Sequence, residues 1–160
     1  DQRKDATYYE IYTNNDQGGK NYYTSIVTKG SGTVIGGSRQ FKDDVILYRY
    51  GEVLLLIAEA KNALGQDPSE EMNAIRMRAY GDDFQDYAFT SGSQAENDEE
   101  ILEERLRELA FEGKRWWDLL RFGKALEYLP TLENQQHMLL WPISNGVLSL
   151  ENKVTQNPGY

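Results

Sequence analysis

The spacing of apolar residues predicts helices in the middle of the chain. From Tyr50 to Leu64, apolar side chains recur every three or four residues, and Gly65 follows where a helix C-cap is expected. Residues 67–70 read Asp-Pro-Ser-Glu, the order of N-cap, proline and capping glutamate that begins a helix. Because so short a link cannot reach elsewhere, the pattern predicts an antiparallel helical hairpin.

A second hairpin is predicted further along the chain, after a polar connection from Gly81 to about Gln94. One apolar stripe runs from Ile101 to Ala110 and ends at Gly113, and another runs from Trp116 until Pro130 stops it. The two hairpins resemble tetratricopeptide units in architecture only, because they start about 50 residues apart instead of about 34.

The two ends of the chain lack helical periodicity. Residues 7–13 and 22–28 have the aromatic and β-branched content of strands, and turn-forming residues 14–19 between them favour a hairpin. Glycines at 30–37 make continuous structure up to about Gln40 doubtful. After Pro130 the chain is aperiodic and turn-rich, which predicts an extended tail over the helices.

These elements predict a mostly α fold of tetratricopeptide-like helical hairpins with an irregular, partly β N-terminal segment. A length of 160 residues corresponds to about one domain. We therefore expect a single domain over 1–160, made of a loop and strand segment at 1–48, two helical hairpins at 49–130 and an extended tail at 131–160.

Charge and composition narrow the classes of function. The net charge of −9 has the wrong sign for binding nucleic-acid phosphates, so no nucleic-acid partner is expected. With no cysteine, the chain has no disulfide and no thiolate metal ligand. Its longest apolar run, residues 53–58, is far shorter than a membrane span. The chain begins at Asp1 and not at Met, so we expect that a preceding segment has been removed. The lack of an export signal in this sequence is therefore no evidence against export.

A cluster of tyrosines is the best candidate for a ligand-binding site. Five of them lie among polar residues near the N-terminus: Tyr8, Tyr9, Tyr12, Tyr22 and Tyr23. Such rings offer stacking faces and hydroxyl groups to polar ligands at low entropic cost. The alternative is ordinary packing on an edge strand, and the sequence does not show which rings share a face.

The segment 103–121 is dense in charge, and its spacing of three or four pairs Glu103 with Arg107 and Asp118 with both Arg115 and Arg121. This favours a helix surface covered by ion pairs. A glycosidase with two carboxylates is the alternative, but no carboxylate stands in an apolar setting that would raise its pKa. We expect no catalytic residue.

Other chemical signals are weak. His137 is the single histidine, without a nucleophile motif, and no metal-ligand spacing occurs, so neither a metal nor a cofactor is expected. Trp116 shares a stripe with Leu119, which favours core packing, with Trp117 turned outward. An aromatic platform for sugar stacking is the alternative.

Five segments, in order, resemble motifs of the SusD/RagB family of outer-membrane nutrient-binding lipoproteins. They are residues 48–60 (YRYGEVLLLIAEA), 73–79 (NAIRMRA), 104–121 (ERLRELAFEGKRWWDLLR), 140–143 (LWPI) and 156–160 (QNPGY). Gly51 stands where the family usually has alanine and Leu106 where arginine is common. The opening Asp1-Gln2-Arg3 resembles a motif well inside family members, so the resemblance is to the C-terminal part.

The resemblance implies a non-catalytic protein on the cell surface, held at the outer membrane by a lipid anchor that this chain lacks. It implies capture of an oligosaccharide, or of a peptide, for delivery to a SusC-like TonB-dependent transporter. The matched motifs belong to the scaffold, so no binding residue is carried over. The alternative is a helical protein-interaction scaffold with no small-molecule ligand.

Overall fold

The computed structural model describes residues 1–42 and 44–160. Its contacts divide the chain into two compact units, residues 1–114 and residues 115–160, and each is described by itself. Helices dominate the described residues, so the mostly α prediction is confirmed. No helix in these described ranges combines the length and the apolar character needed to cross a membrane.

The first unit begins with a short helix and a β-hairpin. Helix α1 spans Arg3–Thr7, strand β1 spans Tyr8–Asn14 and strand β2 spans Lys20–Val27. The strands are antiparallel, from Tyr8 opposite Val27 to Asn14 opposite Lys20. Asn15 shapes the turn, because its Oδ1 accepts a hydrogen bond from the Gly19 amide at 2.7 Å. The predicted hairpin is therefore confirmed, whereas α1 was not predicted.

The glycine-rich segment holds more structure than the sequence suggested. Strands β3 (Thr33–Ile35) and β4 (Ser38–Gln40) form a second antiparallel pair. Both Gly36 and Gly37 in its turn have positive φ, at 60° and 81°. Such values favour glycine and match the twist of a tight hairpin, so these glycines form a turn that allows strand pairing.

Two helices form the first predicted hairpin, α2 (Tyr50–Ala63) and α3 (Ser69–Tyr80), which pack against each other. The N-cap of α3 is Pro68 and not the predicted Asp67, but Asp67 Oδ1 still accepts a hydrogen bond from the amide of Ser69, the first helical residue, at 2.9 Å. The apolar residues buried in this unit come mainly from α2, α3 and a later helix, Gln94–Glu108: Leu55, Ala58, Met72, Ile75, Ala79, Ile101 and Leu102. Removing this apolar surface from water is the main force that holds the helices together.

The connection after α3 is partly helical. It contains a 3-10 turn at Gly81–Asp83 and the short helix α4 (Phe84–Tyr87). Helix α5 then spans Gln94–Glu108 and begins with a capping box between Ser93 and Glu96. It ends before the predicted Gly113, because Phe111 adopts a positive φ of 64° that no helix continues.

The second unit holds several short helices. Helices α6 (Arg115–Arg121) and α7 (Ala125–Tyr128) replace the single predicted helix, and Gly123 between them has φ of 68°. The tail was predicted to be extended, and this prediction is wrong in part. The tail contains 3-10 turns at Pro130–Leu132 and Gln136–Leu139 and helix α8 (Asn145–Leu150). The predicted pairing of α5 with α6 stays a prediction.

The last residues of the chain fold back onto residues 140–143. Tyr160 donates its hydroxyl hydrogen to the Leu140 carbonyl at 2.8 Å, and Asn157 Nδ2 donates to the Trp141 carbonyl at 2.7 Å. The Gln156 side chain accepts from the Ile143 amide and donates to its carbonyl, both at 2.8 Å. Two of the recognised motifs thus stabilise one another through backbone hydrogen bonds.

Candidate ligand-binding face

The β1–β2 hairpin separates the five candidate tyrosines by face. Side chains alternate along a strand, so Tyr8, Glu10 and Tyr12 point to one side of β1 and Tyr9 points to the other. On the first side the Tyr12 hydroxyl donates to Glu10 Oε2 at 3.1 Å. Lys4 Nζ lies 3.0 Å from the same oxygen. Lys4 also lies 5.6 Å from the centre of the Tyr8 ring. We call this side the tyrosine face.

A β-bulge decides which tyrosine of β2 joins this face. Ile11 lies opposite Thr24, but Tyr12 lies opposite Tyr22, so Tyr23 is the extra residue. The rings of Tyr12 and Tyr22 consequently meet edge to face, with centroids 6.0 Å apart and planes at 79°. The structure therefore brings Tyr12 and Tyr22 into contact and places Tyr8 on the same face, whereas Tyr9 lies on the opposite side.

The tyrosine face is accessible to a ligand. Tyr12 is 47% exposed and Tyr22 is 58% exposed, although their rings touch. The Tyr22 hydroxyl lies 2.9 Å from Ser25 Oγ, so Tyr22 is held in place as well. Tyr9 and Tyr23 are also about half exposed or more. The exposed rings and hydroxyls can contact a polar ligand without first being uncovered.

The charges on this face favour binding over proton transfer. Hydrogen bonds from Lys4 and Tyr12 lower the pKa of Glu10. The hydrogen bond to Glu10 raises the pKa of Tyr12. Near neutral pH the face therefore presents an ionised carboxylate and protonated hydroxyl groups. A carboxylate with a lowered pKa is a poor general acid, so these groups are suited to hydrogen bonding with a ligand.

The acidic helix α5 differs from the predicted surface of ion pairs. Glu103 and Arg107 do form a surface pair at 3.9 Å, as predicted, and Asp118 and Arg121 pair at 3.0 Å in the second unit. Glu104 and Glu108 are instead buried, at 0% and 3% exposure. The prediction of a surface role is wrong for these two residues and also for Asp118, which is 2% exposed.

The buried carboxylates bind arginines from other elements. Arg3 Nη1 lies 2.6 Å from Glu104 and 3.1 Å from Glu108. Arg76 Nε of α3 lies 3.0 Å from Glu104. Glu108 also pairs with Arg49 and Arg78. This cluster joins α1, the start of α2, α3 and α5, and we call it the arginine–glutamate cluster.

The electrostatics of the cluster do not favour a general-acid role for Glu108. Burial opposes ionisation of Glu108, but hydrogen bonds from Arg49 and Arg78 outweigh it, and its pKa lies below the ordinary value. A general acid in a glycosidase needs a raised pKa instead. The sequence signal for the cluster was the spacing of Glu104 and Glu108, which places two acids on one face of α5.

Glycine at position 51 fits the cluster closely. A Cβ atom there would lie 2.7 Å from Glu108 Oε1 and 2.8 Å from Arg49 Nη1. The glycine therefore leaves room for the Arg49–Glu108 pair beside the first turn of α2.

The two tryptophans and the histidine considered in the sequence analysis lie outside the tyrosine face. Trp117 is 53% exposed, and Trp116 is partly buried without reaching the core. The His137 ring meets the Tyr160 ring edge to face at 5.1 Å. Within the described ranges, no group of three or more His, Asp or Glu residues has the geometry to hold a metal ion.

Comparison with known proteins identifies the family. The sequence model of the SusD family matches residues 2–139. The chain is 35% identical over 127 residues to SusD-like protein P38 of Formosa agariphila, covering 73% of this chain and 25% of that protein. It is 33% identical over 144 residues to SusD-like protein P2 of the same organism, covering 81% of this chain and 28% of that protein. The chain therefore belongs to the SusD family.

Two solved structures resemble the whole chain. B. fragilis NanU matches with a TM-score of 0.77 and 36% identity, covering 100% of this chain and 36% of NanU. A SusD superfamily protein from Bacteroides vulgatus matches with a TM-score of 0.79 and 36% identity, covering 100% of this chain and 38% of that protein. The chain spans about a quarter of the length of the curated relatives that it matches.

Proposed function

We propose that this protein binds polar nutrients, foremost oligosaccharides, through the tyrosine face and delivers them to a SusC-like TonB-dependent transporter. The observation that carries the proposal is the pairing of Tyr12 with Tyr22 beside the ionised Glu10. Aromatic rings stack on the apolar faces of sugars, and a carboxylate accepts hydrogen bonds from their hydroxyl groups.

Membership of the SusD family supports this role and the cellular setting that it requires. The protein acts at the cell surface, in association with the outer membrane. Its role is capture without catalysis. The lowered pKa of Glu10 agrees with a carboxylate that binds a ligand and does not donate a proton.

The test is a fluorescence titration of the protein with a panel of neutral oligosaccharides and short peptides. Tyr12→Ala and Tyr22→Ala remove the paired rings, and each should weaken binding about fivefold or more, since an aromatic ring stacked on a flat ligand such as a nucleic-acid base contributes about 1–3 kcal/mol. Tyr9→Ala is the matched control on the opposite side of β1. Equal weakening by Tyr9→Ala would place the ligand elsewhere and overturn this assignment of the face.

The second candidate function is protein interaction without a small-molecule ligand. It is favoured by four consecutive apolar residues that are at least 65% exposed: Val45, Ile46, Leu47 and Tyr48. Exposed apolar stretches are typical of protein interfaces. Two results together would support this alternative: the protein binds none of the oligosaccharides and peptides in the panel, and Leu47→Ser abolishes its association with a partner protein.

A further inference from the structure

A small open cavity beside Glu108 has an unusual lining. Its volume is about 190 Å³. At about 30 Å³ per water molecule, that is room for a small group with its hydration. Four basic side chains line it, Arg3, Lys29, Arg49 and Arg78. Among the described residues, Glu108 is the one acidic side chain in this lining.

Arg78 has the most hydrogen-bonding capacity left for a ligand. Its side chain is 57% exposed, and it pairs with Glu108 through Nη2. A guanidinium carries five N–H groups in a planar fork. Within the part of the chain that the structure describes, Arg78 makes no other hydrogen bond, so most of this fork faces solvent at the cavity.

Lys29 and Arg49 also retain donors after their internal bonds. Lys29 pairs with Glu112 and donates to the Glu108 carbonyl at 3.2 Å. Arg49 directs Nε and one Nη2 hydrogen to the Glu112 carboxylate, the second Nη2 hydrogen to the Glu108 carbonyl, and one Nη1 hydrogen to the Glu108 carboxylate. Each residue has one more N–H group than these contacts use. The internal pairs therefore hold the cations in place without consuming all their donors.

The charge of the lining favours an anion. Hydrogen bonds from Arg49 and Arg78 outweigh the effect of burial and lower the pKa of Glu108, so this residue contributes one negative charge. Four cations and one carboxylate face the cavity. Asp1, Glu104 and Glu112 lie outside the lining and pair with Arg3, Lys29 and Arg49, so they offset part of this positive charge. Arg78 pairs with Glu108.

We propose that this cavity binds one oxyanion group, a sulfate, phosphate or carboxylate, with Arg78 as its principal donor. A planar guanidinium matches the geometry of such groups, and neighbouring fixed cations add to the attraction. The site is separate from the tyrosine face and goes beyond the proposed function, because a neutral oligosaccharide needs no such cavity. The group is either a free ion or a substituent on a sugar.

The experiment is isothermal titration calorimetry of the protein with sodium sulfate and with glucose 6-sulfate, at constant ionic strength maintained with chloride. Saturable binding with one site is expected for at least one of them. Tighter binding of glucose 6-sulfate would identify an acidic sugar as the ligand, and equal or tighter binding of sulfate would identify the free ion. Absence of saturable binding by both would overturn the proposal.

Variants locate the site. Arg78→Gln should weaken binding about tenfold or more, the usual effect of one lost charge-assisted hydrogen bond. Arg78→Lys keeps the charge without the fork and should fall in between. Arg39→Gln is the matched control, since Arg39 is exposed and donates to the Ser31 carbonyl at 2.6 Å. Circular dichroism establishes that each variant is folded. Unchanged sulfate affinity in folded Arg78→Gln would also overturn the proposal.

Discussion

Arg76 Nε of α3 lies 3.0 Å from Oε2 of Glu104 in α5, whose side chain is fully buried. Glu104 also accepts from Arg3 at 2.6 Å, so this carboxylate joins three separate elements of the first unit. A buried charge of this kind is tolerated only because its partners compensate for the loss of hydration. Changes that remove one partner should therefore affect stability more than their size suggests.

Replacement of Glu104 tests this cluster directly. Glu104→Gln removes the buried carboxylate that Arg3 and Arg76 share and leaves Arg76 with only the exposed Glu100 as a carboxylate partner among the described residues, and we expect a loss of about 3–5 kcal/mol in the free energy of unfolding. Urea denaturation followed by circular dichroism measures it. Glu103→Gln is the control, because Glu103 is 37% exposed at the surface pair, and it should change stability by less than about 1 kcal/mol. Similar values for the two variants would contradict the role of burial.

Stability should depend on pH through Glu108 and Glu112. Burial opposes ionisation of both residues. Hydrogen bonds from Arg49 and Arg78 nevertheless lower the pKa of Glu108 below the ordinary 4.5, and hydrogen bonds from Arg49 and Lys29 do the same for Glu112. A lowered folded-state pKa stabilises the protein above the unfolded-state pKa, and this stability is lost as the pH falls through the folded-state value. We expect little change between pH 6 and pH 7 and a decline below about pH 4.5.

The control for this pH dependence is Glu108→Gln. This variant lacks one of the two titrating carboxylates, so its stability should be lower near neutral pH and should decline less on acidification. Urea midpoints measured at several pH values give the comparison. An equally steep decline in Glu108→Gln would show that other carboxylates cause the acid sensitivity.

The hydroxyl of Tyr12 should contribute less to ligand binding than its ring. Tyr12→Phe removes the hydrogen bond to Glu10 at 3.1 Å but keeps the edge-to-face contact with Tyr22. We expect oligosaccharide affinity to fall by less than in Tyr12→Ala, because the stacking surface remains. Fluorescence titration with the best oligosaccharide of the panel measures both variants. A loss in Tyr12→Phe equal to that in Tyr12→Ala would assign the binding energy to the hydroxyl.

The start of α5 depends on its capping box. Ser93 Oγ accepts from the Glu96 amide, and the Glu96 carboxylate accepts from the Ser93 amide at 2.8 Å. Ser93→Ala should reduce the free energy of unfolding by about 1 kcal/mol, whereas Ser93→Asp supplies another acceptor and should retain most of it. Thermal and urea unfolding measure the difference. Equal destabilisation by both substitutions would argue against the cap.

Local physics explains why much of the fold was predictable. Apolar spacing along residues 50–64 and the Asp67 hydrogen bond act within a few residues, so α2 and α3 could be located from the sequence. Turn-forming residues likewise located the β1–β2 hairpin. The end of α5 was placed wrongly, since a backbone turn at Phe111 has no clear signal in its side chain. The helix in the tail was missed because its pattern is short.

The candidate site was likewise predictable only in part from the sequence. The sequence identified the five tyrosines as candidate ligand-binding residues, because aromatic residues surrounded by polar residues are not typical of a core. The bulge after Ile11 then placed Tyr12 opposite Tyr22, and only the pairing of the two strands determines such a register shift.

The sequence by itself determined the positions of α2 and α3, the β1–β2 hairpin and the family, because periodicity, turn-forming residues and motifs are local features of the chain. Only the tertiary structure decided that Glu104 and Glu108 are buried among arginines while Glu103 remains at the surface. All three are glutamates on one helix. Their roles differ because Arg3, Arg49, Arg76 and Arg78, distant in sequence, fold against one side of that helix. A carboxylate's environment depends on these non-local partners, which no local pattern specifies.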